Sequence, residues 1–130
     1  MLRINFTLYQ NEKENIFGGY TSIPWGTDGK WKNDKECFIF TLTNIHNTEP
    51  TKFQNKSNGK EVVYHSKDNG PVFGWGPDIA VYSDFIKKDC CTVFPQKFED
   101  ILKKGKSIFT GNINISHFTL KEIEIFKLIK

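Results

Sequence analysis

Ile16-Phe17-Gly18-Gly19-Tyr20-Thr21-Ser22-Ile23-Pro24-Trp25 sets two adjacent glycines inside a run of β-branched and aromatic residues. Glycine weakens a strand, so a pair of them marks a bulge, a sharp bend or the close approach of a neighbouring backbone. Pro24 has no N–H for a ladder and ends the strand or holds it at an edge. The stretch predicts a bent central strand, with Phe17 and Tyr20 as the large rings on either side of the glycines.

Toward the N-terminus, Leu2, Ile4, Phe6 and Leu8 alternate with Arg3, Asn5, Thr7 and Tyr9, the period of a half-buried strand. The polar Gln10–Asn15 segment connects it to the glycine-pair strand, so the two form an antiparallel pair. Toward the C-terminus, Trp25–Glu36 has loop chemistry, with Trp25 and Trp31 folding back on the sheet. Cys37–Asn44 is apolar in both phases (Phe38, Phe40 and Leu42 on one side, Ile39 and Thr41 on the other), which predicts a mid-sheet strand covered on two sides. Further strands are expected at Thr51–Gln54 and Glu61–His65.

Asp68–Asp78 is a second glycine-rich region, Gly70, Gly74 and Gly76 surrounding Val72-Phe73 and Trp75, and it leads into a short strand at Ile79–Tyr82. Lys87–Thr92 reads as a polar connection holding Cys90 and Cys91. Phe98, Ile101 and Leu102 have helical spacing ahead of Gly105, and a helix of that length forms only if packed. Ile115–Leu128 is a long strand pattern whose phase switches near Lys121 or Glu122. Together these elements predict one domain over residues 1–130, mainly β: a two-layer antiparallel β-sandwich with one or two short helices. A partly open barrel is the alternative.

Composition supports a packed domain. Among 130 residues, 38% are hydrophobic and 15% aromatic, with twelve phenylalanines and one methionine, which favours sheets and excludes disorder. A net charge of +3 is too mild for a nucleic-acid stripe. The N-terminus alternates instead of forming an apolar signal core, and no run is long enough to span a bilayer. These features place the chain in the cytosol, with its three cysteines as reduced thiols. The sequons at Asn5, Asn55 and Asn114 are then incidental.

Motif chemistry excludes more than it assigns. Gly70-Pro71-Val72-Phe73-Gly74-Trp75-Gly76 lacks the strand before and helix after that a phosphate loop needs. It reads as a tight loop holding Phe73 and Trp75 against the core, with the Gly18-Gly19 pair allowing close packing beneath it. The cysteines, with His46, His65 and His117, lack zinc-ligand spacing, so neither metal nor cofactor is expected. Ser22 and Ser83 sit in no nucleophile elbow. Cys90 and Cys91, near Lys87 and Lys88, are candidate reactive thiols, whereas Cys37 is expected in the core. Glu122 and Glu124 share one strand face and could join Asp78 as acid–base carboxylates, against the plainer reading of a solvated edge. Aromatics and lysines around Trp25–Lys35 resemble a stacking surface for single strands, but Asp28, Asp34 and Glu36 oppose it.

In this order, Ile16–Ser22 followed by Trp25, the aromatic strand Phe38–Leu42, the loop Gly70–Gly74 leading to Asp78 and its strand, and the closing Phe118–Phe126 resemble the TLDc domain. The resemblance covers nearly the whole chain. The helical segment that usually precedes the first strand of that domain has no counterpart here, which implies a short form or a truncated start. It also implies a β-sandwich and a role in oxidative-stress resistance, or in binding the peripheral part of the vacuolar-type proton pump (V-ATPase), with no established catalytic machinery. Family members carry a cysteine followed two residues on by threonine, as Cys90 and Thr92 do here; Cys91 with Phe94 is the alternative alignment. The expected function is therefore a non-enzymatic binding module with a protein partner, and the alternative is a thiol-based peroxide scavenger.

Overall fold

A computed structural model describes residues 3–24, 28–65, 72–81 and 90–129. Two antiparallel sheets face each other. The first runs β11-β1-β2-β4-β5, and the second β10-β9-β8-β7-β6-β3. In chain order these are β1 (Arg3–Asn11), β2 (Ile16–Thr21), β3 (Lys30–Lys32), β4 (Phe38–Thr43), β5 (Thr51–Gln54), β6 (Val63–His65), β7 (Val72–Phe73), β8 (Ile79–Ala80), β9 (Cys90–Cys91), β10 (His117–Phe118) and β11 (Leu120–Ile129). The expected mainly-β sandwich is what forms. Each sheet ends in its own edge strands, as a sandwich does and a barrel does not.

The glycine-pair strand β2 lies at the centre of the five-stranded sheet, between β1 and β4, with a register irregularity at Ile16/Phe17 that supplies the bend. Its inward residues and those of its neighbours (Tyr9, Phe17, Ile39 and Phe53) are fully buried against Val63, Phe73, Ile79 and Cys90 of the second sheet. Phe94, Phe98, Ile108 and Phe109 close the core at one end. Rings meet there at centroid distances of 5.0 Å for Phe17–Phe109 and 4.9 Å for Phe53–Phe94, separations at which tilted and edge arrangements are favourable.

Several local expectations are corrected. Within the expected loop 25–36, Lys30–Lys32 forms β3, with Trp31 packed across the ladder against Tyr64, the two rings tilted at a centroid distance of 5.1 Å. Trp31 thus meets the sheet as expected, while Trp25 lies outside the described residues. No helix forms at Phe98–Leu102. The backbone N–H groups of Gln96, Lys97 and Phe98 donate to the Asp78 carboxylate, and Phe98 bridges to Asn55. That bridge is extended pairing, with the Lys56 N–H donating to the Lys97 carbonyl and the Glu99 N–H to the Gln54 carbonyl, and a helix over the same residues is excluded by it. The one helix among the described residues is α1 (Ser107–Thr110), ended by Gly111 in the left-handed region. The phase switch near Lys121 has a topological cause. The chain leaves the second sheet after β10 and enters the first as β11, with a register shift opposite Gln10/Asn11. Cys90-Cys91 is not a loop but β9, paired to Ala80 on one side and to β10 on the other.

Candidate functional site

Asp78, the aspartate after the glycine loop, is fully buried. Its carboxylate accepts from the backbone N–H of Gln96 at 2.7 Å, Lys97 at 2.9 Å and Phe98 at 3.3 Å. Gly74, at φ +82°, leaves room for it: a Cβ there would collide with Asp78 Oδ1. Burial pushes the Asp78 carboxyl up to about 6, against the opposing pull of those N–H donors. The geometry is that of a buried clamp holding segment 96–98. Glu122 and Glu124 sit exposed on β11 beside Leu8 and Gln10. A buried clamp and two solvent-facing edge groups do not make the carboxylate constellation that the sequence left open.

The thiols separate in the same way. Cys37 and Cys90 are fully buried and Cys91 is half-buried. Burial raises the Cys37 thiol well above its ordinary range. Thr92 is buried too. Its hydroxyl donates to the Asp78 carbonyl and accepts from the Phe94 N–H at 3.1 Å, so the Cys90/Thr92 spacing places a structural hydroxyl two residues after a sealed thiol. Cys91 pairs directly with His117 of β10, and such cross-strand partners share a sheet face. Among the described residues, no three His, Cys, Asp or Glu side chains converge as metal ligands.

Within β2, Phe17 and Gly19 face the second sheet, whereas Gly18 and Tyr20 lie on the outer side. A Cβ on Gly19 would fall within 3 Å of three atoms of the Phe73 ring, and one on Gly18 would meet the Thr7 carbonyl. The loop residue over Gly19 is therefore Phe73, not Trp75, which is 61% exposed in the turn after β7. The short side chains that flank it let the backbone turn away from the core. Gly70 lies outside the described residues, as do Ser83, Lys87 and Lys88. Sequence reasoning missed Asp34, which is buried and accepts from the Thr21 and Ser22 hydroxyls and the Ser22 N–H at 2.6–2.8 Å. It fastens the end of the glycine-pair strand, and the signal was the Thr21-Ser22 pair where that strand stops.

The largest departure lies on the outer side of the five-stranded sheet. Cys37–Asn44 reads as covered on both faces, yet only the Ile39/Thr41 side meets the core. Phe6, Tyr20, Phe38 and Phe40 cluster on the other side, with Phe6–Tyr20 and Tyr20–Phe38 ring centroids both 4.9 Å apart. They adjoin an open groove of about 280 Å³ that reaches Leu42, Pro50 and Lys52. Leu42 is 39% and Phe126 is 48% exposed. Register sets the whole face. One row reads Phe126, Phe6, Tyr20, Phe38, Gln54, and the next Glu124, Leu8, Gly18, Phe40, Lys52. The Lys52 ammonium lies 4.7 Å from the centroid of the Phe38 ring.

The order of elements and the glycine-pair strand fit one family, and the TLDc domain model matches residues 3–129. The chain belongs to the TLDc family. No curated protein matches it individually. TLDc proteins are associated with resistance to oxidative stress, and this TLDc domain carries the two-sheet β architecture which that resemblance implied. None of its described helices is long and apolar enough to cross a membrane.

Proposed function

We propose that this TLDc domain is a non-enzymatic binding module, working in the cytosol in oxidative-stress protection or in regulation of the vacuolar-type proton pump through protein–protein contact. The observation that carries the reading is the open aromatic face of the five-stranded sheet. Single exposed apolar side chains are ordinary, but a contiguous aromatic patch with a polar rim is characteristic of a contact surface. The best candidates for chemistry support the same reading, since Asp78 clamps backbone and Cys90 is sealed in the core. The test is a pull-down of peripheral pump subunits with the folded chain. Retention on the chain is expected, and its absence with protein of verified fold contradicts the pump role.

A second reading rests on Cys91, half-exposed and paired with His117 across the ladder. Its thiolate would attack one oxygen of hydrogen peroxide, forming a sulfenic acid as the O–O bond breaks and the other oxygen leaves as hydroxide, which takes a proton from solvent to give water. That reading requires consumption of peroxide faster than by free cysteine, lost in Cys90→Ser/Cys91→Ser. A rate equal to free cysteine removes it.

A further inference from the structure

The charges on the open face are arranged in a way that protein contact in general does not explain. Along one row of the ladder, Glu124 stands on β11 and Lys52 on β5, with Leu8, Gly18 and Phe40 between them. Both end residues are exposed. The adjacent row is aromatic from Phe126 to Phe38. The face is therefore an apolar strip with the negative Glu124 on one edge strand and the positive Lys52 on the other, and the central Gly18 leaves a dip in the charged row.

We propose that this face pairs with the same face of a second copy of the chain, about a twofold axis running parallel to the strands. The proposal rests on the reading of the face as a protein-contact surface and names its occupant. Two faces stacked by such an axis exchange their edges, so β5 of one chain covers β11 of the other. The axis keeps position along the strands, so the row carrying Lys52 meets the row carrying Glu124, twice per dimer. A twofold axis across the strands would instead lay Lys52 over Lys52 and Glu124 over Glu124. Charge thus selects one of the two face-to-face arrangements. Stacked sheets keep their strands within ~30° of one another, which leaves both ion pairs in reach, while the aromatic strips bury each other. An isologous contact of this kind closes at two copies and does not propagate.

Sedimentation equilibrium tests it with the wild-type chain, Lys52→Glu, Glu124→Lys and the double variant, all at exposed positions and each verified as folded by its urea midpoint. The wild type is expected to dimerise by about 0.5 mM, a concentration that populates even a high-micromolar complex. Each single reversal sets two like-charge contacts in the dimer and is expected to weaken it about tenfold. The double reversal restores the wild-type constant. A wild type that stays monomeric throughout overturns the proposal, as does a dimer indifferent to the single reversals or not rescued by the double one. Capture of pump subunits is read separately, so failure of the dimer and failure of the partner reading are distinguishable.

Discussion

Gly19 of β2 lies directly against the ring of Phe73 in β7, so at this point only that one ring separates the two sheets. The ring is fully buried and cannot swing away. Gly19→Ala is therefore expected to lower unfolding free energy by about 1–3 kcal/mol, the usual cost of overpacking a tight core. Gly18→Ala should cost more, because its Cβ would meet the Thr7 carbonyl in the neighbouring strand. Urea denaturation of both variants checks the order, and a neutral Gly19→Ala contradicts the packing.

Tyr9 is fully buried, its ring tilted against Phe17 at 5.6 Å, and among the described residues its hydroxyl meets only the Thr7 hydroxyl, in a contact short of a well-formed hydrogen bond. Burial accordingly raises its ionisation far above the ordinary range. An unsatisfied buried hydroxyl costs about 1–3 kcal/mol, and its removal is expected to recover part of that. Tyr9→Phe should raise the urea midpoint with an unchanged slope. A lower midpoint means the hydroxyl is satisfied.

His65 is buried in β6, and its pKa is held below the ordinary value first by burial and then by Lys32. The folded state resists its protonation and the unfolded chain does not. The stability tied to neutral His65 is therefore complete above about pH 6.5 and is lost as pH falls through the depressed folded value. Asp78 acts in the opposite sense, its raised pKa adding stability as pH falls through about 6. Between pH 7.5 and 5.5 the urea midpoint of His65→Gln is expected to fall less than that of the wild type. Equal falls contradict the assignment.

The three thiols should separate kinetically. In native protein, a disulfide reagent is expected to modify Cys91 quickly and to reach Cys37 and Cys90 only on unfolding, since both are fully buried. Mass mapping that finds native-state label on Cys90 contradicts that burial.

Much of the sandwich was legible in the chain. The alternation of Phe6 and Leu8 with Thr7 and Tyr9, the glycine pair and the doubly apolar Phe38–Leu42 run mark β1, β2 and β4 as strands and pair the first two, because a period of two survives whatever the partner strand is; the pairing of β2 with β4 is seen only in the fold. The helical spacing of Phe98, Ile101 and Leu102 misled, since periodicity cannot register that the backbone of Lys97 and Glu99 pairs in extended form with Lys56 and Gln54. Trp75 misled in another way: its size suggests core, but the turn that begins at Gly74 aims it outward while Phe73 takes the buried place. The candidate site was the least legible part. Phe38, Phe40 and Leu42 were correctly read as one phase, but whether a layer covers that phase depends on the second sheet, and the alignment of Lys52 with Glu124 depends on four separate strand registers.

The central claim is that the outer aromatic face of the five-stranded sheet is a protein-contact surface. Its most direct test is binding of immobilised peripheral pump sector by the wild-type chain and by Leu42→Lys/Phe126→Lys, a pair of changes at exposed positions of that face. Saturable wild-type binding is expected, weakened at least about tenfold in the variant, with unchanged unfolding midpoints. Wild-type and variant curves that superimpose would contradict it.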